Sequence, residues 1–147
     1  MVIDVFLCCS ISAQRVAAQE MRPLSTILQG EQSANMYVYA FERCAGLLST
    51  VYARFSNYDS DQHKEIASIL LMKSASASMG ALFMAERAGL KLTMEQTTEK
   101  ALAFGQRYSA IMDESWQSTG HAISPFVDAD QSVCLQLVDT FDRALDQ

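Results

Sequence analysis

Apolar side chains recur at three- and four-residue steps from about residue 32 onwards, and this constrains the fold more than any other feature. That period places one apolar stripe along an α-helix, whereas a strand would need a period of two. The pattern predicts helices over about 32–56, 60–88, 94–116 and 125–145. Four amphipathic helices joined by three short connections predict an all-α, antiparallel up-down-up-down four-helix bundle.

Residues suited to helix ends support these boundaries. Thr93 and Gln96 have the spacing of a capping box, in which each side chain satisfies a free backbone donor of the other residue. Ser124-Pro125 is a typical N-cap and first-turn pair, and Gly89 suits a helix end. Gly105 lies inside the third predicted helix, where it weakens the helix by about 1 kcal/mol relative to Ala. We expect a closely packed neighbouring helix to be the reason for this glycine.

The first 18 residues differ from the rest of the chain. Val5–Ala13 is a short apolar run, and small residues follow it at plausible cleavage positions, as in a secretory signal. No Lys or Arg precedes the run, and Asp4 has the wrong charge for a signal peptide, so a truncated signal is one explanation. The alternative is an N-terminal strand or helix turn that packs on the domain. We predict a complete or truncated signal over 1–18, outside the core, then a linker or irregular lead-in over 19–30 and one domain over 31–147.

Cys44 and Cys134 lie near the middle of the first and last predicted helices, which are neighbours in this topology. They can therefore meet at one level of the bundle, as a disulfide requires. The other two cysteines, Cys8 and Cys9, lie in the predicted signal. A structural disulfide between Cys44 and Cys134 would indicate an oxidising compartment. Two buried unlinked thiols remain an alternative, and a redox role is the least supported because there is no CxxC motif.

The net charge of −6 belongs to the C-terminal quarter, residues 113–147, which hold seven acidic residues and one Arg. An acidic chain without a basic stripe argues against nucleic acid and against an anionic membrane surface as partners. Apolar stretches such as Ile66–Met72 are too short to span a membrane, so no membrane span is predicted. The acidic end is expected to be a solvated helix face.

Residues 73–81 of the second predicted helix are rich in serine and alanine, and their composition is the most unusual in the chain. Small residues recur on one face of this helix, where another backbone can approach closely. We expect tight helix packing there. The alternative is a shallow cavity lined by Ser74, Ala77, Ser78 and Ala81.

Tyr39 and Arg43 fall off the apolar stripe of the first predicted helix. We expect second-row packing with the hydroxyls at the surface. The alternative is a possible interaction surface, since Tyr and Arg are favoured at the centres of protein interfaces.

The sequence contains no recognisable catalytic or metal-binding motif. Neither His63 nor His121 belongs to a Glu-x-x-His pair, and no cofactor motif is present. We therefore expect a small exported helical protein, periplasmic or secreted, that acts by binding, is not an enzyme, and is a monomer or a homodimer. A cytoplasmic adaptor or chaperone-like module with a protein partner is the alternative, and a small-ligand carrier is a less favoured one.

Overall fold

The computed structural model describes residues 21–30 and 32–147 and folds them into helices without a strand. The helices are α1 (Leu24–Leu28), α2 (Ala34–Phe55), α3 (Asp61–Arg87), α4 (Met94–Thr119) and α5 (Pro125–Leu145). The four long helices, α2 to α5, form the predicted all-α four-helix bundle. The predicted signal over 1–18, with Cys8 and Cys9, lies outside the described residues.

The starts of α3, α4 and α5 lie within one residue of the predicted positions, whereas α4 ends at Thr119 and not at about residue 116. The Ser60 and Ser124 hydroxyls each accept a hydrogen bond, at 3.3 Å, from the backbone N–H three residues further on. At the start of α4 both bonds of the capping box are present, at 3.2 Å from Gln96 N to Thr93 Oγ1 and 2.9 Å from Thr93 N to Gln96 Oε1. Gly120 follows α4 with a φ of 74°, a left-handed conformation that favours glycine.

The central element of the bundle is α2, which packs extensively on α3 and α4 and over a shorter length on α5. Its middle turns are buried on all sides, and each neighbouring helix adds apolar side chains to the same core. The buried core includes Phe41, Cys44, Leu47, Leu48 and Val51 of α2, Leu70, Ala77 and Ala81 of α3, Phe104, Tyr108 and Met112 of α4, and Val127, Cys134, Val138 and Phe141 of α5.

Two glycines bring the backbones of α2 and α4 together. A Cβ atom at Gly46 would lie 2.8 Å from the backbone N of Gly105 and would collide with the carbonyl oxygen of Ala101. The Thr50 hydroxyl lies between the helices, within 2.8 Å of Gly46 O and 3.2 Å of Gly105 O, and can donate to either. A close helix neighbour is therefore the reason for Gly105, as predicted.

The segment predicted as a linker or irregular lead-in contains a short helix in the part of it that the structure describes. Residues 21–30 contain α1, and the side chains of Met21 and Leu24 are 7% and 0% exposed. This segment therefore belongs to the domain predicted to begin at residue 31. A five-residue helix is too short to produce a readable apolar period, and its stability comes from tertiary contacts.

By length and composition alone, α3 could cross a membrane. Its most apolar 18-residue window has a mean hydropathy of 1.5, and 28% of that window is buried. The sequence prediction considered only short runs such as Ile66–Met72, and the small residues that follow keep the mean hydropathy high. This property is weak evidence for a membrane span, since core helices of soluble proteins share it.

Candidate functional site

Three polar side chains form a cluster inside the bundle, and we call Arg43, Tyr108 and Asp130 the Arg43 cluster. Arg43 and Tyr108 are 0% exposed and Asp130 is 1% exposed. The guanidinium forms an ion pair with Asp130 through Nη2 and Oδ2, and its Nε donates to the Tyr108 hydroxyl at 2.7 Å. That hydroxyl donates in turn to Asp130 Oδ2 at 2.5 Å. The cluster therefore connects α2, α4 and α5.

The Arg43 cluster also holds the segment that leads into α1. Arg43 Nη1 donates to the carbonyl oxygen of Arg22 at 2.8 Å, and the backbone N–H of Leu24 donates to Asp130 Oδ1 at 2.7 Å. Both carboxylate oxygens of Asp130 thus accept hydrogen bonds, as a buried charge requires. The cluster fixes the backbone of residues 22–24 without depending on their side chains.

The environment keeps the Tyr108 hydroxyl protonated and the Arg43 guanidinium charged. Burial raises the pKa of the Tyr108 hydroxyl well above its ordinary value, so it remains a donor. Burial by itself would lower the pKa of the Arg43 guanidinium, but Tyr108 and Asp130 more than offset this and raise it. The guanidinium also lies over the ring of Phe126, 5.8 Å from its centroid. A cluster with these properties is suited to holding structure together rather than to proton transfer.

The possible interaction surface at Tyr39 and Arg43 does not include Arg43, because that side chain is fully buried. Tyr39 is half-buried, and its ring packs edge-on against Phe104 with the centroids 5.3 Å apart. The prediction assumed that positions off the main apolar stripe face solvent. That assumption fails for α2 because other helices surround its middle turns.

Cys44 and Cys134 lie at disulfide distance, with their Cα atoms 5.2 Å apart. Both side chains are 0% exposed, and the bond joins the middle of α2 to the middle of α5. The predicted meeting of these two residues at one level of the bundle is confirmed.

The small residues of α3 that the sequence singled out lie against α2. Ala77 and Ala81 are 0% exposed, and the hydroxyl of Ser74 donates to the carbonyl oxygen of Ala45 at 3.0 Å. Ser78 is half-buried and donates to Ser74 O at 3.3 Å. The structure therefore places these residues at a close helix contact and not in the lining of a cavity.

An open concave surface of about 530 Å³ lies between α2, α3 and α5, and we call it the apolar groove. Its lining side chains are mostly aliphatic or aromatic, three are uncharged polar groups, and none is charged. They are Leu28, Gln32, Tyr37, Phe41, Phe83, Met84, Val133, Gln136, Leu137, Thr140, Phe141 and Ala144. Sequence reasoning missed this groove, because its lining combines the margins of three separate apolar stripes with Leu28 of α1 and Gln32, which precedes α2.

On a different face of α5 from the groove, Lys73 of α3 pairs with two carboxylates, Asp139 at 2.7 Å and Asp142 at 2.6 Å. The hydrogen bonds to Asp139 and Asp142 raise the pKa of Lys73. The ion pairs connect α3 to α5 on the outside of the bundle. Within residues 21–30 and 32–147 no group of three or more His, Cys, Asp or Glu side chains is placed to hold a metal ion.

Comparisons of this chain with protein-family models, with curated proteins and with solved structures give no match.

Proposed function

We propose that this protein is an exported helical binding protein that takes up a small, uncharged, apolar ligand in the apolar groove. The observation that carries the proposal is the groove itself. Its volume of about 530 Å³ lies within the range of roughly 300–1,000 Å³ typical of small-molecule sites. Its lining is predominantly apolar with a few polar groups, which is also typical of such sites.

The side chains of the groove favour one class of ligand. A charged group placed there would lose its hydration without meeting an opposite charge, which is strongly unfavourable. Gln32, Gln136 and Thr140 offer amide and hydroxyl groups that can bind one polar end of a ligand. An aliphatic or aromatic molecule with a single uncharged polar end, such as a medium-chain alcohol, satisfies both conditions.

Export is supported by the cysteine pair. Cys44 and Cys134 lie at disulfide distance in the core, and such bonds persist in oxidising compartments outside the cytoplasm. Together with the signal predicted over 1–18, this favours a periplasmic or secreted protein. Mass spectrometry of the protein from its native cell should find a chain that lacks Met1 and has no free thiol at Cys44 or Cys134. An intact Met1 with both thiols free would instead favour the cytoplasmic adaptor.

Ligand binding is tested with the neutral fluorescent probe phenylnaphthylamine, displaced by decanol. Leu137→Glu places a carboxylate in the groove at a half-buried position. We expect saturable probe binding to the wild type and at least about tenfold weaker binding to Leu137→Glu, equivalent to about 1.4 kcal/mol.

The matched control is Leu102→Glu, at a position on α4 that is 61% exposed and is not among the residues that line the groove. This variant should bind the probe as the wild type does. Probe binding that is not saturable, or that is unchanged in Leu137→Glu, would contradict the proposal.

A further inference from the structure

The face of α3 that points away from the core carries four large apolar side chains, two before and two after a small central residue, Ser76. We define the α3 stripe as Ile69, Met72, Ser76, Met79 and Phe83, which recur at three- and four-residue steps, the spacing of a helix-pairing seam. The four large side chains are 44%, 60%, 53% and 39% exposed in chain order. From Ile69 to Phe83 the only charged residue is Lys73, and it pairs with α5. Exposed apolar residues gathered on one face are typical of a protein interface.

On the line of the α3 stripe, the charged residues beyond its two ends have opposite signs and lie at matched distances from its centre. Ile69 and Phe83 lie seven residues before and after Ser76, and Glu65 and Arg87 lie eleven residues before and after it. Glu65 and Arg87 are both exposed. The neighbouring Lys64 and Glu86, also exposed, each point about 100° away from these residues around the helix. The stripe therefore extends over about 21 Å of helix length, with an acidic residue beyond one end and a basic residue beyond the other.

We propose that the α3 stripe is a homodimer interface, in which α3 of one copy packs antiparallel to α3 of the second copy about a two-fold axis at Ser76. Ile69 then packs on Phe83 of the second copy, and Glu65 meets Arg87 of the second copy, each contact occurring twice because such an interface is self-complementary. A parallel pair would instead place Glu65 against Glu65.

The residue at the axis suits this arrangement. Ser76 is small and half-buried, so its side chain lets the two helices approach closely where they cross. Its hydroxyl can both donate and accept a hydrogen bond. The two Ser76 hydroxyls can therefore bond to each other across the axis, so that the centre of the interface need not leave a polar group unsatisfied.

The first test is sedimentation equilibrium of the full chain over a micromolar to millimolar range. We expect a reversible dimer for the wild type and at least about tenfold weaker dimerisation for Met72→Glu, which places carboxylates near the two-fold axis. Leu102→Glu on α4 adds the same charge outside the stripe and should leave the dimer intact. Circular dichroism should show unchanged helicity for both, because both positions are more than half exposed.

The second test is charge reversal, which distinguishes an antiparallel from a parallel pair. Glu65→Arg and Arg87→Glu each place like charges together across the antiparallel pair and should weaken it, whereas the double variant restores opposite charges and should restore the dimer. Neither residue is among those that line the apolar groove, so probe binding should survive in all three variants. Phe83, which borders both surfaces, is left unchanged.

Three results would overturn the dimer. One is a full chain that remains monomeric at millimolar concentration, as expected if residues 1–20 cover the stripe. Another is a dimer that Met72→Glu and the charge reversals leave unaffected. The third is a monomer that binds phosphatidylcholine vesicles through Met72, which would make the stripe a membrane surface.

Discussion

Replacing Asp130 by Asn removes the negative charge of the Arg43 cluster with almost no change in side-chain shape. The guanidinium of Arg43 remains 0% exposed, and its ion-pair partner becomes a neutral amide. Asn can keep the bond from the Leu24 N–H through its carbonyl oxygen. Its NH₂ group would then face donors from Arg43 and Tyr108, where Asp130 Oδ2 accepts from both. The substitution therefore leaves a buried charge without a counter-ion.

The expected loss of stability in Asp130→Asn follows from this geometry. Removing one partner of a buried ion pair typically destabilises a protein by about 3–5 kcal/mol, because the other charge stays buried and unpaired. The free energy of unfolding of a natural domain is only about 5–15 kcal/mol. We therefore expect Asp130→Asn to remove a large share of the stability while the disulfide-bonded protein still folds.

The assay is urea unfolding followed by far-ultraviolet circular dichroism, with Asp113→Asn as the matched control. Asp113 pairs with Arg54 at 2.6 Å, but these side chains are 58% and 32% exposed, so loss of the pair should cost no more than about 1 kcal/mol. Asp130→Asn should also be partly rescued by Arg43→Met, which removes the unpaired charge. The reasoning would be refuted if Asp130→Asn and Asp113→Asn lowered the free energy of unfolding equally. It would also be refuted if the losses caused by Arg43→Met and Asp130→Asn simply added in the double variant.

The remaining predictions concern the disulfide, the close contact of α2 with α4, and a buried acid. Replacing Cys44 and Cys134 together by Ala opens a loop with a sequence separation of 90 and should lower the free energy of unfolding, measured in urea, by about 4.5 kcal/mol. Gly46→Ala forces a Cβ atom against the backbone of α4 and should cost about 1–3 kcal/mol by thermal unfolding; Gly105→Ala, whose nearest neighbour is a side-chain hydroxyl, should cost less. Burial raises the pKa of Glu42 because it disfavours the charged form. The raised pKa therefore stabilises the fold fully below the ordinary glutamate pKa of about 4.3, and this contribution is lost as the pH rises and Glu42 ionises. Glu42→Gln should therefore be more stable than the wild type at pH 7 but not at pH 3, and equal differences at both values would contradict this.

The long helices were predictable because their signals are local. A stripe of period 3.6, a hydroxyl before the first turn and a glycine after the last one all act within a few residues, so the start of α4 at Met94 could be placed from Thr93 and Gln96 alone. The meeting of Cys44 with Cys134 needed one more step, the topology of the bundle. Short connections supplied that step, because they make the first and last long helices neighbours.

The Arg43 cluster was not predicted, because a charged residue off the apolar stripe is usually exposed. A signal for it was nevertheless present. Arg43 precedes Cys44 directly, and Asp130 lies one helical turn before Cys134. If the two cysteines meet on antiparallel helices, the backbones of Arg43 and Asp130 lie about 7.5 Å apart along the bundle axis. The long arginine side chain can cross that distance. The proximity of Arg43 and Asp130 could thus have been predicted from the sequence. Their burial could not, because it depends on α1 and the residues before it, which have no periodic signal of their own.

The disulfide and the Arg43 cluster explain how the apolar groove remains open. Contact between α2 and α5 is shorter than contact between α2 and α3 or α4, and the groove occupies the space between α2, α3 and α5. Apolar burial alone would favour closing that space, because collapse removes more surface from water. The Cys44–Cys134 bond and the ion pair of Arg43 with Asp130 both fix α5 against α2 from inside the core, and Lys73 holds α5 to α3 from outside. Directional bonds therefore add to the packing of the buried α5 side chains in setting the position of α5, which lets a small bundle keep a concave apolar surface.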